Sequence, residues 1–247
     1  WQPMDGLNIQ VDYYDISDKD AIFAVPLQTL LDRCYVKGDL ATCNGTFGPG
    51  TRDPATGQIA APFLPNVGVT NIGALFAEGI DITVGYSFDV GDMGSLAIQY
   101  YGNYTIDAGF QVDALDPTTI FTCAGEYGIQ CGEPTPEYKH TMQASWLYGP
   151  LTTSVRWRLI GATVASPDEV ATNGIGDFSD DIGTFNYVDV TMQYAVNENL
   201  DLTVGVQNIL AKDPPLLGST INEQANTWPA TFETLGRQLF FGASVKF

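Results

Sequence analysis

Apolar and polar residues alternate with a period of two over eight stretches of this chain, the spacing of strands that present one face to an apolar environment and one to a polar one. The last stretch organises the rest. Leu235, Leu239, Phe241, Ala243, Val245 and Phe247 share one parity, while Gly236, Gln238, Gly242, Ser244 and Lys246 share the other. Arg237 breaks the apolar parity and Phe240 breaks the polar one. A soluble β-sandwich could end on such a strand, but soluble domains usually blunt their edges with charge or proline.

The pattern predicts strands over 6–16, 67–88, 95–106, 138–148, 151–161, 186–196, 200–210 and 235–247. It is clear in Ile80, Ile82, Val84, Tyr86 and Phe88 against Asp81, Thr83, Gly85 and Ser87. It is equally clear in Val155, Trp157 and Leu159 against Ser154, Arg156 and Arg158. The segment from about Ala21 to Asn66 reads as irregular, with one short helix over Pro26–Asp32 that has proline in its first turn.

The connections alternate long and short from first to last. Short turns such as Gly149-Pro150 and Asn197-Glu-Asn199 alternate with long loops, as periplasmic turns and outer loops do in an outer-membrane barrel. Aromatic residues gather near predicted strand ends (Tyr86 and Phe88, Tyr104, Trp146 and Tyr148, Tyr194, Phe247), the placement of an interfacial girdle. The expected fold is therefore an all-β, transmembrane antiparallel β-barrel of about eight strands. Both chain ends fall on the periplasmic side of that arrangement.

Composition changes this picture little. Mean hydropathy is +0.00 and 45% of residues are hydrophobic, values that a barrel apolar on one face shares with a soluble protein. No uninterrupted apolar run of about 18 residues is present, and Trp1 is not preceded by a signal-peptide pattern, so any such leader lies outside the 247 residues.

Charge is more telling. The formal net charge of −19 argues against nucleic acid as a partner. Six acids and no base lie between Asp107 and Glu137, and Asp168, Glu169, Asp177, Asp180 and Asp181 lie between Thr163 and Thr184. Both runs read as outer loops, either simply solvated, binding divalent ions that bridge lipopolysaccharide, or touching the ligand. Four cysteines form two close pairs, Cys34 with Cys43 and Cys123 with Cys131, without metal-site or redox spacing. Local disulfides are the economical reading, with free buried thiols as the alternative.

Several segments resemble TonB-dependent outer-membrane receptors. They are Leu7-Asn-Ile-Gln-Val-Asp-Tyr-Tyr-Asp-Ile16 with Asp20-Ala-Ile22, and Asn71-Ile-Gly73 with Glu78-Gly-Ile-Asp81. Trp146-Leu-Tyr-Gly-Pro150, Asn208-Ile-Leu210 with Asp213-Pro-Pro215, and Gly236-Arg237 before Phe247 continue the likeness. The resemblance implies that residues 1–247 are the C-terminal portion of a barrel, about the last third of 22 strands, with no plug domain in this chain. It also implies energy-coupled uptake of a scarce solute such as a siderophore, a carbohydrate or a vitamin. The implied partners are the remaining barrel and its plug, an inner-membrane energy-coupling protein acting on that plug, and outer-membrane lipid and lipopolysaccharide. A self-contained eight-stranded barrel with a structural or adhesive role is the alternative.

No enzyme motif is found: His140 is the single histidine, on the apolar parity, and no G-x-S-x-G, H-E-x-x-H or P-loop occurs. No catalytic residue, metal site or cofactor is expected. Polar residues on the luminal parity are the ligand-binding candidates: Arg156, Arg158, Gln143, Asp189, Gln193 and Gln207.

Overall fold

A computed structural model describes residues 1–24, 27–48, 51–59, 65, 67–112, 119–128, 131–166, 181–217 and 226–246. Eight long strands appear where the alternation places them. They are β1 (Leu7–Ala24), β2 (Val69–Asp89), β3 (Ser95–Gln111), β6 (Tyr138–Tyr148), β7 (Leu151–Ile160), β10 (Phe185–Asn197), β11 (Leu200–Gln207) and β12 (Gln238–Val245). Short strands β4 (Ile120–Thr122), β5 (Glu126–Tyr127), β8 (Thr163–Ala165) and β9 (Asp181–Ile182) lie within the long connections. The main sheet runs β1-β2-β3-β6-β7-β10-β11-β12 with β4 beside β3, so sequential long strands are neighbours throughout. β1 and β12 end that order and are not paired with each other among the described residues.

Most boundaries fall within two residues of the periodicity, but four differ by more. β11 stops at Gln207, three residues before the predicted end. β1 runs on to Ala24 and β3 to Gln111, into stretches read as loop, because strand pairing continues past the point where alternation fades. β12 begins only at Gln238, so Arg237 precedes the strand and does not interrupt its apolar face. The acidic stretches are not wholly loop: Asp107 lies in β3, Glu126 in β5 and Asp181 in β9. Asp113, Asp116, Asp168, Glu169, Asp177 and Asp180 lie outside the described residues, as does Phe247.

Two compact units divide the chain: Trp1–Ile16 with Ala77–Gly109 and Phe121–Phe247, and Ser17–Phe76 with Phe110–Ile120. In the first, register carries each apolar row across the sheet. Ile98 faces Ala144, Ala144 faces Val155, Val155 faces Val190, Val190 faces Val206, and Val206 faces Leu239. Large apolar side chains on this parity (Val155, Met192, Val204, Leu239, Phe241) are exposed in the isolated chain. So broad an apolar face is a liability in water. Aromatics edge it near the short turns: Tyr86 stacks on Phe88 with ring centres 4.8 Å apart, and Trp146 on Tyr148 at 5.6 Å.

The core of this unit is built elsewhere. β5, β8 and β9 form a three-stranded sheet, and Tyr127, Ala165, Ile182, Phe185, Tyr187, Leu217, Trp228 and Phe232 bury one another there. The described parts of the connections after β3, β7 and β11 thus share one buried cluster with the start of β10. Thr231 ties its segment to Glu133 by donating to Oε2 at 2.6 Å, and a Cys123–Cys131 disulfide closes the loop before β6.

In the second unit, helix α1 (Leu27–Leu31) continues into a π-helical turn over Asp32–Val36, followed by α2 (Leu40–Thr46). α1 lies where proline in the first turn predicts a helix, and α2 lies in a stretch read as irregular. Asp39 caps α2: its carboxylate accepts from the Ala41 amide at 3.0 Å and the Thr42 hydroxyl at 2.7 Å, satisfying donors that a helix start leaves open. Those bonds, the Thr42 hydroxyl foremost, hold the Asp39 carboxyl below its ordinary range. The Cys34–Cys43 disulfide joins the two helical segments, so both cysteine pairs are disulfides.

Candidate functional site

The face opposite the apolar rows is polar, and register aligns its side chains into a ladder. Gln99 on β3 faces Gln143 on β6, Gln143 faces Arg156 on β7, and Arg156 faces Asp189 on β10. Gln207 on β11, one step beyond the Val190–Val206 pair, faces Gln238 on β12. Because side chains on neighbouring strands at one rung stand about 5 Å apart, residues distant in sequence become contacts here.

Asp189 is the hub. It is only 5% exposed, a position that a carboxylate holds only when paired. Its Oδ2 accepts from Arg156 Nε at 2.9 Å and lies 2.8 Å from Arg156 Nη2; Arg158 Nη2 approaches the same oxygen at 3.4 Å. The other oxygen accepts the Asn208 backbone N–H at 2.8 Å. Arg158 also pairs with Glu233 Oε1 at 2.8 Å, and its guanidinium lies over the Tyr187 ring, 5.3 Å from the centre. The Glu233 backbone N–H donates to the Tyr187 hydroxyl at 3.2 Å. Two guanidiniums therefore meet two carboxylates, and the cluster carries no net charge.

Asn208 fixes the end of β11 from beneath. It is fully buried and adopts φ +49°, a left-handed conformation that asparagine tolerates better than most side chains. Its side-chain amide donates to the Lys212 carbonyl and its oxygen accepts the Lys212 N–H, each at 2.9 Å, closing a turn. The Asn208-Ile-Leu segment thus positions the amide that Asp189 accepts.

Beside the hub lies a depression of about 240 Å³ lined by Gln143, Ser154, Arg156, Asp189, Thr191, Gln207 and Phe240. Phe240, the apolar residue on the polar parity, faces Gly205 across the β11–β12 pair. Its ring lies over that glycine so closely that a Cβ there would sit 2.2 Å from the ring's Cζ. A second depression of about 510 Å³ includes Asp12, Asp81, Tyr101, Lys139, Thr141 and Arg158 in its lining.

Of the six candidates, Arg156, Arg158 and Asp189 come together in the charged cluster, and Gln143 and Gln207 join Arg156 and Asp189 around the smaller depression. Gln193 does not. It pairs with Thr152 and Thr203 four residues further along β10, about 13 Å away at strand rise, and is exposed. Glu233, Tyr187, Asn208 and Phe240 were not among the candidates. Phe240 was marked by its break in parity, whereas Glu233 lies in a connection without periodicity and left no signal.

His140 sits among aromatic rings on the other parity. Its Nδ1 is 3.0 Å from the Tyr138 hydroxyl, and its ring meets Trp157 edge-on at 4.4 Å. It also lines the larger depression, which Asp12 and Asp81 border.

Comparison with known proteins agrees with this architecture. A family model described as TonB dependent receptor-like, beta-barrel, matches residues 1–209. Among solved structures, the siderophore receptor PirA from Acinetobacter baumannii aligns over 99% of this chain with 14% identity and a TM-score of 0.58. The ferric enterobactin receptor PfeA from Pseudomonas aeruginosa aligns with the same coverage, identity and score, and the FrpB iron transporter from Neisseria meningitidis gives 14% identity, 99% coverage and 0.57. The chain spans 30%, 29% and 29% of those three proteins, and at this identity the likeness is one of fold. No curated protein sequence matches. A model covering residues 1–209, an antiparallel sheet in sequential order and alternating short and long connections converge on one assignment. The chain belongs to the TonB-dependent receptor-like β-barrel family of the bacterial outer membrane.

Proposed function

We propose that this chain forms part of the wall of an outer-membrane receptor that takes up a scarce solute at the expense of inner-membrane energy. The observation that supports it most is the polar face: a compensated Arg156–Asp189–Arg158–Glu233 cluster between two depressions, opposite a face of exposed apolar rows. The apolar rows face lipid and the polar face lines the interior, as barrel strands require. Residues 1–247 form the C-terminal portion of that barrel, and β1 and β12 pair with strands of the remainder. A plug within the complete barrel receives the energy-coupling protein, and lipopolysaccharide surrounds the outer rim. Arg156, Arg158, Gln143, Asp189 and Gln207 contact the passing solute, and Gln193 serves lower on the same wall.

The test is uptake by cells expressing the whole receptor, with labelled ferric complexes and oligosaccharides as probes. Accumulation of at least one probe, abolished by a protonophore, is expected. Entry that ignores the protonophore, or no entry of any probe, refutes the transport reading. A native mass equal to that of the 247 residues alone would instead favour a self-contained barrel.

A further inference from the structure

The smaller depression combines features that a charged ligand does not need. An aromatic ring, Phe240, stands on an otherwise polar face, held over Gly205 where no side chain competes for the space. Glycine opposite an aromatic explains why the ring lies down on the sheet. It does not explain why two carboxamides, Gln143 and Gln207, and the Arg156–Asp189 pair border the same hollow. Small-ligand sites pair an apolar surface with a few polar groups that fix orientation.

Charge decides which ligand. Arg156 is compensated by Asp189, and Arg158 by Asp189 and Glu233, so no uncompensated cation is left to hold an anion. In the larger depression Lys139 stands with Asp12 and Asp81, so with Arg158 counted among its own partners that hollow holds no excess of cation either. A neutral molecule with a flat C–H face and a rim of hydroxyls fits the remaining groups. The C–H face would rest on Phe240. The hydroxyls would donate to the carboxamide oxygens of Gln143 and Gln207, and accept from their N–H groups and from Arg156. Thr191 and Ser154 add hydroxyls of either role.

From this geometry we infer that the depression beside Asp189 is a subsite for one ring of a neutral saccharide. The inference rests on the transport reading above and deepens it, by naming the class of solute that the polar face accepts. Thr141 and Arg158 on the larger depression stand two residues from Gln143 and Arg156 on the smaller, so one oligosaccharide can lie across both.

The test is equilibrium binding to the whole receptor in detergent, by calorimetry, with maltotriose, cellotriose, xylotriose and chitotriose as probes and a ferric catecholate as the anionic comparison. At least one saccharide is expected to bind, with affinity unchanged between about 0.05 and about 0.5 M salt, because no net charge is involved. Phe240→Ala should weaken that binding about tenfold and Phe240→Trp should retain it. Gln207→Ala, on the other side of the hollow, gives an independent loss should Phe240→Ala fail to fold. Binding of none of the four saccharides, or saccharide binding indifferent to both Phe240→Ala and Gln207→Ala, overturns the inference. So does ferric catecholate binding that depends on Phe240. A receptor that accumulates the ferric complex in energised cells but binds no saccharide would keep the transport reading and lose only this subsite.

Discussion

Asp189 is the residue whose loss should be felt most widely. Two unit charges about 3 Å apart attract by about 5 kcal/mol at an effective dielectric of about 20, and Asp189 meets Arg156 at 2.8 Å. The arginine side chains are 42% and 28% exposed, so water already screens them and about half of that attraction is a fair share. Asp189→Ala also strips the Asn208 N–H of its acceptor, adding about 1 kcal/mol. The expected destabilisation is about 3 kcal/mol, while Asp189→Asn, which keeps an oxygen for Asn208, should cost about 1–2 kcal/mol. The assay is the urea midpoint of the whole receptor folded into vesicles, followed by tryptophan fluorescence. A double-mutant cycle with Arg156→Ala should return a coupling of about 1–2 kcal/mol. A change below about 0.5 kcal/mol for Asp189→Ala, or a coupling near zero, would refute the hub.

Four further outcomes follow from the same structure. Val155→Arg, on the apolar row between Ala144 and Val190, should cost about 2–4 kcal/mol of folding into vesicles, and a neutral result would place that face away from lipid. Gly205→Ala should cost about 1–3 kcal/mol, because its Cβ would meet the Phe240 ring 2.2 Å from Cζ; restoration by Phe240→Leu in the double variant would identify the clash as the cause. All four cysteines should resist thiol labelling in unreduced receptor, and reduction of either bridge should cost about 2.5 kcal/mol for loops of this length; labelling before reduction rejects the pairing. The Asp39 cap should protect the Ala41 amide from exchange fully above the unfolded carboxyl pKa, about 4, and lose that protection as pH falls through the lower folded value. Asp39→Asn should remove the pH dependence while keeping a cap, and an unchanged pH profile in that variant would assign the effect to another group.

Much of the fold was legible in the sequence because a period of two, sustained over eight or more residues, has one structural solution. Val155, Trp157 and Leu159 had to leave one side of β7 and Arg156 and Arg158 the other, whatever the neighbours were. The short connections likewise settled three adjacencies, β2–β3, β6–β7 and β10–β11, since a short turn joins antiparallel neighbours; the long connections left the other pairings to the structure. The cysteine pairs, eight and nine residues apart, could close locally without help from the rest of the chain.

Tertiary structure decided what depends on register and on aperiodic segments. Arg156 meets Asp189, 33 residues away, because the β7–β10 pairing aligns them. A slip of one residue would have sent either side chain to the opposite face. Gln193 shares the parity of Asp189 yet lies too far down the strand to join it, a distinction that parity cannot make. Phe240 looked like a defect in the pattern until pairing set it opposite Gly205. Glu233, Trp228 and Phe232 come from a connection with no periodicity at all. Their places against Arg158 and in the buried cluster follow from packing, a sum of long-range contacts that no local window of sequence contains.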